Sequence, residues 1–228
     1  MSSSYTKYAV VVAGGSGSRM ESSVPKQLLL LGKQPILLHT LQRFIEFDKQ
    51  MKLIVVLHPS LVNSFNQLVK QYNFNHPLTL VEGGETRFHS VKNGLDAIPQ
   101  EGVVGIHDAA RPLVSIETIN RAYTCAWEKG NAIPVIALAE SIRMIEPENN
   151  RAVDRTTFRI IQTPQCFKVS IIKKAFDVPY NPSFTDDATV LEHNGGKINL
   201  VEGNPENIKI TVPSDLILAE ALMNIHHT

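Results

Sequence analysis

Strand-like and helix-like stretches alternate along this chain, and that alternation restricts its fold more than any other feature. "KYAVVVA" (Lys7–Ala13), "KLIVVLH" (Lys52–His58), "LTLVE" (Leu78–Glu82), "VVGIH" (Val103–His107) and "AIPVIAL" (Ala132–Leu138) are short β-branched runs. They read as buried strands, mostly of a parallel sheet. Between them, "PILLHTLQRFIEF" places Ile36, Leu37, Thr40, Leu41, Phe44 and Ile45 on one side. "SLVNSFNQLVKQY" does the same with Leu61, Phe65, Leu68 and Tyr72, and "ETRFHSVKNGLDAI" and "SIETINRAYTCAWEKG" follow. Strand and helix in turn predict an α/β sandwich joined by right-handed crossovers.

The rhythm breaks after Leu138. "ESIRMIEPENNRAVDRTTFRIIQTP" (Glu140–Pro164) reads as a hairpin turning at Pro147–Asn150. It has few residues able to bury it alone, so a protruding arm over about residues 139–163, packed on another subunit, is expected. "FTDDATVLEHNGG" is a capped helix, with Thr185 or Asp186 as N-cap and Gly195–Gly196 as stop. Capping explains Asp186 and Asp187 more simply than a metal pair does. "KINLVEG" is a further strand, and "VPSDLILAEALMNI" a closing helix with Ser214 or Asp215 near its N-cap.

Composition narrows the function. The 228 residues suit one domain and carry 22 Lys and Arg against 22 Asp and Glu. A net charge of zero gives no support for bulk nucleic-acid or membrane binding. An anionic ligand must therefore be held by a few local cations. Cys125 and Cys166 lie far apart, without metal spacing or a disulfide framework, which fits a reducing cytoplasm. Neither has a base that would make it a nucleophile, and Cys125 is expected to be buried in its helix. "MSSSYTKY" lacks the basic and apolar regions of a signal peptide. No apolar run approaches the roughly 18 residues of a membrane span.

In such folds ligands sit at the carboxyl ends of the strands, here after Ala13, Glu82, His107 and Leu138. After Ala13 the strand runs into "AGGSGSRMESSVPKQ". Gly14, Gly15 and Gly17 let backbone N–H groups approach a ligand and form an anion-binding concavity. The phosphate-loop pattern fails because Arg19 stands five places after Gly14, and the dinucleotide fingerprint fails because Met20 takes the third small position. Arg19 and Lys26 bracket the loop, one able to grip phosphate oxygens bidentately and the other a mobile point charge. The plainer alternative is a strand-to-helix turn with solvated side chains.

These residues carry a resemblance. "AGGSGSRM…VPKQ" resembles the glycine-loop signature of nucleotidyltransferases that join a nucleoside triphosphate to a sugar or polyol phosphate. "EGGETRFHSV" (Glu82–Val91), "HDAARPLV" (His107–Val114), "VDRTTFRIIQTPQCF" (Val153–Phe167), "FTDDATVLE" (Phe184–Glu192) and "PENIKITVPSDLILAE" (Pro205–Glu220) narrow it. Together they resemble the 2-C-methyl-D-erythritol 4-phosphate cytidylyltransferase family of non-mevalonate isoprenoid synthesis, from about Tyr8 to the closing helix.

The resemblance implies a Rossmann-like three-layer αβα sandwich with a mostly parallel mixed sheet and a protruding β-arm. It implies that Ala13 to Gly17 hold the triphosphate of CTP, while Arg19 and Lys26 stabilise charge at the α-phosphate and leaving group. Gly83, Glu85 and Ser90 belong to the block that reads cytosine. Asp108 would contact the ribose or acceptor hydroxyls, or magnesium, with Ala109 and Ala110 small enough to let the ligand lie close. Arg111 is equally suited to pair with Asp108, and His107 reads as packed rather than catalytic. Arg155 and Lys209 would position the acceptor phosphate, with Thr163 and Thr185 on the acceptor side. Mg²⁺ would be held mainly by phosphates, with Asp108 its one possible protein ligand. The partners implied are CTP, a polyol phosphate, and a second copy in a homodimer whose exchanged arm carries Arg155 into the neighbouring site. Ribitol-5-phosphate cytidylyltransferase and a non-catalytic nucleotide-binding protein are the alternatives.

Overall fold

The structure of the chain, a computed structural model, describes residues 5–13 and 25–225. The strands are β1 (Lys7–Ala13), β2 (Leu30–Leu31), β3 (Gln34–Pro35), β4 (Lys52–Leu57), β5 (Leu78–Glu82), β6 (Val103–Asp108), β7 (Asn131–Ala137), β8 (Arg143–Glu146), β9 (Asn149–Ala152), β10 (Arg159–Ile161), β11 (Gln165–Lys168) and β12 (Leu200–Glu202). The helices are α1 (Ile36–Phe47), α2 (Val62–Gln71), α3 (Arg87–Asp96), α4 (Ile116–Lys129), α5 (Val169–Ala175), α6 (Asp187–His193) and α7 (Pro213–Ile225).

β1 is apolar at almost every position because it is buried on both faces. It pairs in parallel with β4 on one side and β6 on the other, and β5 extends the sheet beyond β4. Its alternate residues feed two different cores. Ala9, Val11 and Ala13 join Leu53, Val55 and the apolar faces of α1, α2 and α4. Tyr8 and Val10 join Ile54, Val56 and the faces of α3, α5 and α6. The result is a three-layer α/β sandwich, as the alternation predicts.

α3 lies close on that sheet. A Cβ at Gly94 would stand 2.6 Å from Val10 Cγ1 and 2.9 Å from Val56 Cγ2, so only glycine admits the approach. This contact sets how closely α3 packs on β1 and β4.

The sheet is mixed. β11 runs antiparallel to both β6 and β7. β7 also pairs antiparallel with β10 and parallel with β12. β11 and the short α5 were not legible as elements, since "QCFK" and "VSIIKKA" are too brief to show a period. Within residues 139–163 the chain does two things. β8 and β9 form an isolated exposed hairpin, whereas β10 returns to the main sheet beside β7. The strand after Gly102 runs one residue beyond "VVGIH", so Asp108 is its last member.

α6 starts from Asp186, whose side chain accepts from Thr189 N in a reciprocal capping box. α7 packs through Ala219 on a small separate core with Leu31, Ile36 and Ile210. Cys166 is buried and Cys125 is half-buried rather than fully so; both are free thiols. Burial pushes the Cys166 thiol well above its ordinary range, which suits packing and not nucleophilic attack. Among the described residues no helix is long and apolar enough to cross a membrane.

Candidate active site

The strand tips of β1, β4 and β6 surround a cavity of about 480 Å³. Its walls are Val12 and Ala13 from β1, His58 after β4, Gly84 to Arg87 and Ser90 from the entry of α3, and Asp108 to Ala110 after β6. Lys26, Gln27 and Lys209 close it. The expected site residues Ala13, Lys26, Glu85, Ser90, Asp108, Ala109 and Lys209 therefore converge from distant parts of the chain. Gly14, Gly15, Gly17 and Arg19 lie outside the described residues.

Each wall has its own local cause. Lys26 opens a 3₁₀ turn whose next residue, Gln27, is buried. Gln27 Nε2 donates to Ala13 O at 2.8 Å, tying the lysine's turn to the end of β1. On the other side the Gly83–Gly84 loop folds back onto α3. Gly83 N donates to Leu57 O, and Gly84 N donates to Ser90 Oγ at 3.0 Å. A Cβ at Gly84 would stand 2.4 Å from His89 Cβ, so its glycine is required by the loop's own packing. Gly83 lies just behind the wall. Ser90 is buried, and its hydroxyl donates to Thr86 O at 3.0 Å, so it braces the loop as well as lining the cavity.

Asp108 is the electrostatic centre. Its Oδ2 accepts from Arg111 Nε at 3.1 Å and lies 3.1 Å from Lys209 Nζ. Its Oδ1 lies 3.8 Å from Arg87 Nε. Burial alone pushes the carboxyl up, but Arg87, Lys209 and Arg111 together hold it well below the usual carboxylate range. Among the residues that line the cavity, Lys26, Arg87 and Lys209 are cationic and Glu85 and Asp108 anionic, a surplus of one positive charge. That surplus suits an anionic ligand in a chain with no net charge.

Behind Asp108 runs a proton chain with one consistent direction. Asp108 N–H donates to Thr163 Oγ1 at 3.2 Å, and Thr163 Oγ1 stands 2.9 Å from His107 Nδ1. His107 Nε2 stands 3.0 Å from Arg111 O, a carbonyl that can only accept. The imidazole proton is therefore on Nε2, and Nδ1 accepts from the Thr163 hydroxyl. Full burial lowers the His107 pKa to about 4, so the ring is neutral in this chain. His107 is packed, as expected. Thr163 is buried beneath the cavity with its hydroxyl engaged in the chain, so it supports Asp108 from below.

Thr185 and Arg155 are not among the residues that line the cavity. Thr185 is exposed in the segment leading to α6. Arg155 is exposed beside the hairpin, and its guanidinium donates to Ala139 O. Lys209 is held in place because Ile210 N donates to Ala110 O and Asn207 O accepts from Arg111 Nη1 at 2.7 Å. The pair "DD" divides its work. Asp186 caps α6, whereas Asp187 is fully buried and receives both Nη groups of Arg87, at 2.7 and 2.6 Å. Capping thus accounts for only the first of the two.

Arg87, Gln27 and His58 line the cavity and were not singled out from the sequence. The signal for Arg87 was present, as a cation directly behind Gly-Gly-Glu-Thr at a helix start. Gln27 and His58 carried none. Both Asp108 oxygens already face cations, and among the described residues no cluster of three or more His, Cys, Asp or Glu side chains could hold a metal.

The family profile described as 2-C-methyl-D-erythritol 4-phosphate cytidylyltransferase matches residues 8–225. A protein of that name from Bacteroides fragilis is 45% identical over 215 residues, covering 94% of this chain and 98% of the relative. The one from Bacteroides thetaiotaomicron is 43% identical, over 94% of this chain and 98% of the relative. The crystal structure of 4-diphosphocytidyl-2C-methyl-D-erythritol synthase from Anaerococcus prevotii superposes with a TM-score of 0.83 at 25% identity, covering 96% of each chain. With the glycine-loop strand, the Asp108 cluster and Lys209 in one cavity, the chain belongs to the 2-C-methyl-D-erythritol 4-phosphate cytidylyltransferase family.

Proposed function

We propose that this cavity transfers a cytidylyl group from CTP to 2-C-methyl-D-erythritol 4-phosphate, releasing pyrophosphate. The observation that carries the reading is one cavity at the carboxyl end of the sheet that brings Lys26 together with ionised Asp108 and its partner Lys209. An acceptor phosphate oxygen attacks the α-phosphorus in line, and the bond to pyrophosphate breaks. The attacking phosphate is already ionised near neutral pH, so no general base is required. Catalysis is positioning and charge stabilisation.

Lys26 and Arg19 neutralise the charge that develops at the α-phosphate and leaving group. Ala13 and the following glycines Gly14, Gly15 and Gly17 hold the triphosphate. Gly83, Glu85 and Ser90 form the cytosine side, with Ala109 allowing close approach. Asp108 orders the ribose or acceptor hydroxyls, and Lys209 meets the acceptor phosphate together with Thr185; Thr163 acts from beneath, through Asp108. Mg²⁺ would be held mainly by the ligand's phosphates, with Asp108 the protein group nearest to serve it, and would supply screening of the phosphate charges.

The arm supports a homodimer. Ile145 is 77% exposed at its tip, and Met144, Phe158, Ile160 and Ile161 are also exposed. Such apolar surface at the hairpin and its return suits contact with a second copy. Arg155 lies beside it and outside its own cavity, which favours delivery into the partner's site. The two free thiols favour a reducing cytoplasm.

The test is pyrophosphate release from CTP and Mg²⁺ with a panel of acceptors. Release with 2-C-methyl-D-erythritol 4-phosphate and not with ribitol 5-phosphate is expected. Release only with ribitol 5-phosphate would reassign the acceptor, and CTP binding without release from either would leave a nucleotide-binding protein.

A further inference from the structure

The structure assigns Arg87 as a positioning residue that locks the acceptor-side segment Phe184–Asp187 to the nucleotide cavity. The inference rests on the reading of that segment as acceptor-side, given above.

Arg87 is the first residue of α3, and Asp187 is the first residue of α6. Their side chains form a two-pronged pair, Nη1 to Oδ1 at 2.7 Å and Nη2 to Oδ2 at 2.6 Å. Such a pair fixes distance and angle together, which a single-point lysine contact does not. The same guanidinium turns its Nε toward Asp108 Oδ1, 3.8 Å away. One planar group therefore spans the start of α3, the start of α6 and the tip of β6.

The nucleotide side does not depend on this link. The Gly83–Thr86 loop is held by its own bonds, Gly84 N to Ser90 Oγ and Ser90 Oγ to Thr86 O. On the acceptor side it is the one ion pair the structure shows from the Phe184–Asp187 segment, among the described residues. Thr185 is exposed, and the chain beyond it is anchored where Arg87 grips Asp187 and where Gln165 Nε2 donates to Asp186 Oδ2 at 2.8 Å. Gln165 ties α6 to the sheet and Phe184 stacks on Phe88 of α3, whereas the Arg87 guanidinium ties the start of α6 to Asp108. Loosening the arginine should shift the acceptor relative to CTP while leaving CTP bound.

Arg87→Ala would strand the buried Asp187 and risks unfolding, so conservative changes are the test. Arg87→Lys keeps the charge and loses the fork; Asp187→Asn keeps the shape and loses the charge. For each variant, the double variant and the wild type, pyrophosphate release is measured with each substrate varied, beside CTP affinity by calorimetry and thermal melting. Each single variant should lower kcat/KM for the acceptor about tenfold or more and CTP affinity by a clearly smaller factor, the residual loss reflecting the place of Arg87 in the cavity wall. The double variant should be no worse than the poorer single one, because both break one link. Equal losses for CTP and acceptor would make Arg87 a mere wall of the nucleotide cavity. Lower melting with unchanged kinetics would make the pair purely structural, and additive losses would show that the residues do not act as one. If the wild type releases no pyrophosphate, the functional reading itself falls and this inference with it.

Discussion

Lys209 Nζ lies 3.1 Å from Asp108 Oδ2, across the mouth of the cavity and 101 positions along the chain. The lysine is part-exposed and the aspartate nearly buried, so the pair presents one accessible cation over one fixed anion. Arg111 and Arg87 hold the anion from behind. An incoming phosphate can therefore compete for Lys209 without leaving Asp108 uncompensated.

Asp108→Asn should lower kcat/KM for the acceptor by roughly a hundredfold, the scale of losing one group aimed at the reacting substrates. Because three cations keep Asp108 ionised, the wild-type rate should show no carboxylate limb from it between about pH 5 and 8. Steady-state rates across that range check both points.

Lys26 is fixed by the turn that Gln27 anchors to Ala13 O. Lys26→Ala should reduce kcat by roughly a hundredfold or more while leaving the fold intact. Unchanged turnover would remove Lys26 from the mechanism.

Arg155 stands outside its own cavity. Arg155→Ala should raise the KM for the acceptor more than for CTP, and mixing it with a Lys26→Ala chain should restore a fraction of sites if arms are exchanged. Equal effects on both substrates would count against its acceptor role.

His107 gives stability a pH dependence. Its folded pKa is about 4 against an ordinary 6.5, so between these values the unfolded chain binds more protons. Stability is then fully present above about pH 6.5 and falls as pH drops toward 4, by on the order of 3 kcal/mol for this group. Burial lowers His39 in the same sense, and the depressed Asp108 adds its own loss only below about pH 4. Urea unfolding at pH 7 and pH 4.5 should show the drop, and His107→Gln should flatten part of it.

The layers were legible in the sequence because their signals are local, whereas most of the cavity's walls were reached through the family resemblance that continuous blocks carry. A strand buried on both faces must be apolar throughout, so β1, β4 and β6 announced themselves within a residue of their true ends. The cap at Asp186, one of the two candidates read from the sequence, lies next to the helix it starts. The glycine and cation blocks that pointed to nucleotide chemistry are likewise continuous segments.

Tertiary structure decided the rest. Arg87 and Asp187 stand 100 positions apart, and nothing local marks them as partners. Asp108 became a strongly acidic group only when Arg87, Lys209 and Arg111 met around it and outweighed the cost of its burial. Thr163 reads equally well as a ligand contact until the hydroxyl is seen bridging Asp108 N and His107 Nδ1. The reversed β11 lacks a periodic signal and takes its place because β6 and β7 leave a gap that its backbone fills. Sequence by itself determines where backbone hydrogen bonds and apolar faces repeat. Which charges meet, and therefore what the site can do, depends on chain separations that only packing closes.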